Sequence, residues 1–262
     1  MSLLWRRRQD LHRDQINAIQ GLAINGRYVL LGPPGSGKTS ILLHRGQYMR
    51  LPPQNLTNLR LLTFSRTLKE FISLSGDERF PPTLIQTVRE FVNRLFEAMN
   101  EPPPEDDPTV DLTTRNRRRA ERLLELIAAR GAPTQYDGLM VDEVQDLSLE
   151  EVRLFASLTN RIMFSGDSRQ KLFQNTGAIE AAVELPSEVV SLRHHFRISP
   201  QICRVADSIL LQDGYSLAEF CHYQGPTPSA PVAHGGLERE QQIARLRAPW
   251  TSSLIPTMIH LT

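Results

Sequence analysis

The sequence predicts an α/β protein with a doubly wound parallel sheet and helices on both faces. Three observations carry that reading. Five short apolar runs, at 28–31, 60–64, 139–142, 162–165 and 189–192, are each bounded by polar or turn residues, as buried parallel strands are. Segments of helical periodicity fall between them, and strand–helix alternation of this kind defines the class. A glycine-rich loop starting at Gly32 joins the first run to a helical stretch at 40–48.

The remaining elements follow in chain order. Residues 77–82, which end in Phe80-Pro81-Pro82, read as a linker. Residues 101–108 (Glu-Pro-Pro-Pro-Glu-Asp-Asp-Pro) exclude helix and central strand, because proline removes a donor and clashes with the preceding turn. A helix is expected over 114–130, closed by Gly131 and Pro133, with Leu123, Leu124, Ile127 and Ala128 as its buried face. Its start carries Arg115, Arg117, Arg118, Arg119 and Arg122. These form either a solvated face or a phosphate-contacting surface, and arginines at a helix N-terminus oppose the dipole. Ser148-Leu149-Glu150-Glu151 is a capping box ahead of Val152, Phe155 and Leu158. Ser199-Pro200 is an N-cap with proline at the first helical position, and Ile202, Val205, Ala206, Ile209 and Leu210 then hold one face. A third linker covers 224–236, a short helix is expected at 237–248, and 254–261 is ambiguous.

The chain has 262 residues, enough for one large domain or two small ones, and 40% of them are hydrophobic, which supports a buried core. A net charge of +1 excludes a histone-like or polybasic protein but not a local basic groove. Two cysteines, Cys203 and Cys221, without a CxxC, signal neither a disulfide framework nor zinc. With no signal-peptide pattern and no apolar run of membrane-spanning length, a cytoplasmic protein without membrane association is the expectation.

Gly32-Pro33-Pro34-Gly35-Ser36-Gly37-Lys38-Thr39 matches GxxxxGK[ST] between a strand and a helix, the context in which that loop works. Its glycines let backbone N–H groups curl around phosphate oxygens, and the helix N-terminus adds favourable partial charge. These eight residues and Ser40 are the candidate cradle for ATP. Lys38 can reach the β- and γ-phosphates, and the Thr39 hydroxyl can ligand Mg²⁺. Asp142 and Glu143 end an apolar strand at the edge that faces the ligand crevice in parallel sheets. Asp142 is the second candidate Mg²⁺ ligand, and Glu143 the group that orients and deprotonates the attacking water.

Asp142-Glu143-Val144-Gln145-Asp146 is a DExQD motif and resembles that of superfamily 1 DNA helicases of the UvrD/Rep/PcrA type. Other motifs of that family stand in family order over roughly residues 10–215. Gln15 matches the glutamine that reads adenine. Phe64, in Thr63-Phe64-Ser65-Arg66, and Arg89, in Gln86-Thr87-Val88-Arg89-Glu90-Phe91, fall in stretches that touch single-stranded DNA. Gln170, in Gly166-Asp167-Ser168-Arg169-Gln170, matches a γ-phosphate sensor. Arg197, in His195-Phe196-Arg197-Ile198-Ser199, matches an arginine that contacts the γ-phosphate. Each has a structural alternative: an exposed helix residue for Gln15, a loop residue for Gln170, an ion pair for Arg197 and core packing for Phe64. The chain also departs from the family. Arg89 replaces a usual histidine, Phe173 a base-stacking tyrosine and Asn175 a tryptophan. A lost stacking platform, worth about 1–3 kcal/mol per base, implies a weaker grip on the strand.

The resemblance implies a P-loop NTPase (RecA-like) ATP-binding lobe over residues 1–215, with a reduced helical insertion at about 92–136. Motifs V and VI are not found in 216–262, which reads as a linker and the start of an incomplete second lobe. The chain is therefore expected to be truncated before those motifs, with a partner supplying a second lobe. The implied function is a motor lobe that hydrolyses ATP to ADP and phosphate in contact with single-stranded DNA, without unaided unwinding. The alternative is a catalytically weak or inactive nucleotide-binding module.

Overall fold

A computed structural model describes residues 10–74, 80–167, 177–185, 187–210 and 216–225. It divides into two compact units, Met1–Arg193 and His194–Thr262. The expectations for 237–248 and 254–261 lie outside the described residues.

The first unit is built on six strands: β1 (Arg27–Leu31), β2 (Leu59–Thr63), β3 (Ile85–Thr87), β4 (Gly138–Val141), β5 (Ile162–Gly166) and β6 (Glu188–Ser191). All pair in parallel, in the order β3-β2-β4-β5-β1-β6. The order places β4, which ends in the acidic pair, one strand away from β1, which feeds the glycine-rich loop. Both strands point their carboxyl ends to the same edge of the sheet, so residues far apart in sequence converge there.

The helices are α1 (Arg13–Ile16, continued by a π turn over Asn17–Gly21), α2 (Lys38–Arg50), α3 (Arg66–Leu74), α4 (Val88–Ala98), α5 (Leu112–Arg130), α6 (Leu149–Ser157) and α7 (Ala178–Glu184). One face of the sheet is covered by α4 to α7, whose Phe91, Leu95, Leu123, Phe155 and Ala182 pack on Leu62, Val141 and Phe164. The other is covered by α1, α2 and α3, through Ile19, Ile41, Leu42, Met49 and Ile72. The doubly wound arrangement is thus observed on both faces.

Local chemistry explains the starts and stops. The Ser148–Glu151 capping box opens α6 as expected, and an equivalent Thr87–Glu90 box, which the sequence reading missed, opens α4. The Asp111 side chain accepts from Thr114 N at 2.9 Å to open α5, and Gly131, at φ +82°, closes it. The proline linker forms no helix or strand over 101–107.

Several expectations are corrected. Strand β3 was not foreseen; three residues are too few to show a period. The helix after the loop begins at Lys38 rather than residue 40. On α5 the buried face is Arg119, Ala120, Leu123 and Leu126, with Leu124 and Ile127 half-buried, and Ala128 is exposed. The stripe runs through Leu126 at i+3 from Leu123, which turns Ala128 outward. Strand β6 is an edge strand with Val189 exposed, not a buried one.

In the second unit, α8 (Pro200–Leu210) starts at proline as expected. Ser199 caps it only through its carbonyl, which accepts from Cys203 N at 3.0 Å, while its buried hydroxyl finds no partner. Cys203, rather than Ile209, is buried on this helix.

Candidate functional site

The glycine-rich loop wraps between β1 and α2 with Gly35 at φ +78° and Gly37 at φ +89°. Only glycine takes these left-handed values without strain. Gly37 has a second reason to lack a side chain: a Cβ there would sit 2.5 Å from Gln15 Nε2. Gln15 is buried and donates through Nε2 to Ser36 O at 2.8 Å, while its Oε1 accepts from His12 N at 2.9 Å. Its amide therefore braces the loop from α1.

Lys38 Nζ donates back to Gly32 O at 2.9 Å and Pro33 O at 3.3 Å, so the loop holds its own cation at its centre. The Ser36 and Ser40 hydroxyls are buried without a partner. The two unpartnered hydroxyls, beside a lysine whose present acceptors are carbonyls of the loop itself, are donors of the kind that phosphate oxygens satisfy.

Across the sheet edge, Thr39 Oγ1 donates to Asp142 Oδ2 at 2.6 Å and Ser165 Oγ donates to Asp142 Oδ1 at 2.5 Å. Burial, then the charge of Glu143, pushes the Asp142 carboxyl above its ordinary range, against the two hydroxyl bonds and Lys38. A buried carboxylate beside a hydroxyl, and beside a second carboxylate, is a donor set that suits a small hard cation. The loop and the acidic strand end thus fit Mg²⁺ with a nucleotide.

Glu143 follows with φ 54° and ψ 51°, a left-handed conformation uncommon for a non-glycine residue and concentrated at functional sites. Gln145 Nε2 donates to Glu143 Oε2 at 2.7 Å, and Gln145 Oε1 accepts from Asp167 N at 3.2 Å. A Cβ on Gly166 would meet Gln145 Oε1 at 2.7 Å, so the glycine makes room for this link. Asp146, pushed up to about 6 by burial, then Glu143, then Asp142, completes the acidic cluster.

The structure therefore gathers Gln15, Gly32 to Ser40, Asp142 and Glu143 at one edge. The other expected residues are placed as follows. Phe64 is half-buried after β2. Arg89 is exposed on α4 and paired with Asp106 at 2.6 Å. Arg197 belongs to the second unit, exposed in a bend ahead of α8. Gln170 and Phe173 lie outside the described residues. The arginines of α5 are largely neutralised: Arg119 and Arg115 reach Asp106 at 2.9 and 3.9 Å, Arg117 reaches Glu121 at 3.8 Å and Arg122 reaches Glu125 at 3.1 Å.

Ser165, Gln145 and Arg45 were missed by sequence reasoning. Ser165 was legible as a polar residue closing an apolar strand. Arg45 sits on the buried stripe of α2, where its guanidinium donates to Ile19 O at 3.1 Å and Ala23 O at 2.7 Å and ties α2 to the segment that carries Gln15.

A parallel sheet with helices on both faces and this loop between β1 and α2 define a P-loop NTPase domain. A family model described as AAA domain matches residues 15–175, and the chain belongs to that family. No curated protein matches it. Similar solved structures include Bacteroides Pif1 bound to ssDNA, at 14% identity and TM-score 0.40, covering 76% of this chain and 46% of that one. Others are AMPPCP-bound DnaA from Aquifex aeolicus (13%, 0.35, 76% and 51%) and the PRRSV helicase (12%, 0.40, 84% and 38%). The chain spans about half or less of the length of these structures. Among the described residues no helix is long and apolar enough to cross a membrane.

Proposed function

We propose that this chain is an ATP-binding motor lobe of the UvrD/Rep helicase type, which hydrolyses ATP to ADP and phosphate in contact with single-stranded DNA. The observation that carries the reading is the 2.6 Å bond between Thr39 and Asp142, with Glu143 adjacent. It joins the phosphate loop to a motif of metal carboxylate and base in the order DExQD.

In this reading Gly32 to Ser40 bind the phosphates, and Lys38 exchanges its two carbonyl partners for phosphate oxygens. Mg²⁺, held by Thr39 and Asp142, supplies neutralisation of phosphate charge. Glu143 takes the proton of the attacking water at a carboxylate oxygen as the water bonds to the γ-phosphorus and ADP leaves. Gln145 holds that carboxylate in place. Gln170 and Arg197 sense the γ-phosphate, and Gln15 orients the nucleotide from α1. Phe64, Arg89 and Phe173 contact the strand. The lobe spans 1–215, and a second lobe acts from a partner or from beyond it.

A nucleotide-binding module without turnover is the second reading. The pairing of Arg89 with Asp106 favours it, because a DNA-contact arginine engaged internally gives DNA less hold. ATP turnover measured with and without single-stranded DNA separates the two. DNA-stimulated release of phosphate that disappears in Glu143→Gln supports the motor; nucleotide binding without release in either condition supports the module.

A further inference from the structure

The second unit carries a cluster that the nucleotide site does not use. His195, Cys203 and Cys221 each bring one ligand atom within 4.8 Å of the others. They come from three places in the chain: the segment before α8, the first turn of α8, and the segment that returns after it. These are the only two cysteines of the protein, and both are free thiols.

The backbone holds the three together. His195 and Cys221 form an isolated parallel bridge, with His195 N donating to Phe220 O at 3.2 Å and His222 N to His195 O at 2.8 Å. Asp207, further along α8, pins the returning segment, accepting from Ser216 Oγ at 2.8 Å, Leu217 N at 2.8 Å and Ala218 N at 2.9 Å. Both thiols lie near Ile198 O, at 3.8 Å for Cys203 and 3.3 Å for Cys221.

The imidazole supplies a second, independent observation. His195 and Cys203 are wholly buried, and His195 Nε2 lies 2.7 Å from Leu217 O and 3.6 Å from Cys203 Sγ. Nε2 is thus the ring nitrogen that faces the thiol, and a cation bound there takes the place of the Leu217 carbonyl contact. Nδ1 is buried with no hydrogen-bond partner among the described residues, and a buried ring nitrogen left unsatisfied calls for an explanation.

We propose that His195, Cys203 and Cys221 form a zinc site. Two thiolates and an imidazole are a soft to borderline donor set, which suits Zn²⁺ and not Mg²⁺ or Ca²⁺. Cys221 is half-exposed, so solvent reaches that side and supplies the fourth position of a tetrahedral ion. The ion staples the start of α8 to the returning segment, in a unit whose described residues hold one helix and one bridge. The proposal is independent of nucleotide chemistry.

The test uses the full chain, purified under reducing conditions, stripped with a chelator, reloaded with zinc chloride and desalted. Elemental analysis is expected to find about one zinc per chain. Cobalt substitution is expected to give a thiolate-to-metal charge-transfer band, which only Cys203 and Cys221 can produce. Zinc should also protect both thiols of the native wild type from alkylation, and chelator should restore their reactivity; this readout needs no variant to fold. The double variant Cys203→Ser with Cys221→Ser should lose zinc and band together. A reduced wild type that retains no zinc, a double variant that retains as much as wild type, or a cobalt complex without the band overturns the site.

Discussion

Gln145 holds Glu143 by a 2.7 Å bond from its amide nitrogen, and its amide oxygen is fixed in turn by Asp167 N at 3.2 Å. Glu143 is thereby oriented by a chain that starts beyond the end of β5. General-base work contributes roughly 10²–10⁴-fold to rate. Glu143→Gln should lower kcat by that order and keep nucleotide affinity, whereas Gln145→Ala should lower kcat less and leave KM unchanged. Steady-state ATPase rates beside a fluorescent-nucleotide titration check both. An unchanged rate in Glu143→Gln removes it from the base role.

Lys38 donates to Gly32 O and Pro33 O, so nucleotide replaces existing bonds rather than filling a void. A charge-assisted contact is worth about 1.5–3 kcal/mol. Lys38→Ala should therefore weaken ATP binding roughly 10- to 150-fold by isothermal titration. Equal affinities for wild type and variant would sink this role.

How much of this was legible in the sequence depended on whether a residue acts locally. The loop glycines, the Ser148 box and the Gly131 stop are local devices, and each reads from neighbours in the chain. Asp142 and Glu143 were legible because a strand end announces itself. Gln145 was quoted within the motif, yet its partner Asp167 follows the neighbouring strand β5, 22 residues on, and nothing near Gln145 names it. Asp106 looked like linker filler; its role as the shared counter-charge of Arg89, Arg115 and Arg119 exists only once α4 and α5 pack. The zinc candidates failed the spacing test for the same reason, since a bridge and a helix bring them together rather than a knuckle.

Gly46 tests the packing of α2 on the sheet. A Cβ there would approach Phe80 Cε2 to 2.7 Å and Met140 Cε to 2.9 Å, and both side chains are fully buried. Overpacking costs about 1–3 kcal/mol, against a gain of about 1 kcal/mol in helix propensity. The steric term should win, because neither neighbour can move toward solvent. Gly46→Ala should lower Tm in thermal unfolding; an equal or higher Tm would mean that the ring gives way.

Asp146 sets a pH dependence. Its folded pKa of about 6 stands above its ordinary 3.8. Between those values the folded state binds more protons than the unfolded state, so stability falls as pH rises from about 4 to about 6. The penalty remains in full above that window. It is modest because the side chain is half-exposed and screened. Asp146→Asn should flatten the fall in Tm across the window and raise Tm at neutral pH. Part of the slope should survive, since Asp142 is raised in the same direction. A variant whose Tm follows the wild-type curve would show that Asp146 ionises as freely folded as unfolded.

Arg89 and Asp106 give the test of the strand-contact reading. Asp106 accepts from Arg89 at 2.6 Å and pairs with Arg119 at 2.9 Å, with Arg115 at 3.9 Å. Arg119 is buried, so it keeps its claim on the carboxylate, whereas Arg89 is half-exposed and can swing away. A phosphate must compete with Asp106 for Arg89, so Arg89→Ala alone should change binding little. Asp106→Asn removes the competitor. Binding of single-stranded DNA at low salt should then tighten. The plot of log K against log salt should steepen by about 0.7 for one freed arginine on a single strand. Adding Arg89→Ala to Asp106→Asn should return the slope to its wild-type value, which assigns the change to Arg89 rather than to the lost negative charge. Asp106→Asn also leaves buried Arg119 facing a neutral amide, so its Tm is measured first and titrations are run well below it. Fluorescence anisotropy across salt concentrations supplies the slopes. If all three variants share the wild-type slope, Arg89 serves the packing of α4 against the linker and not the strand.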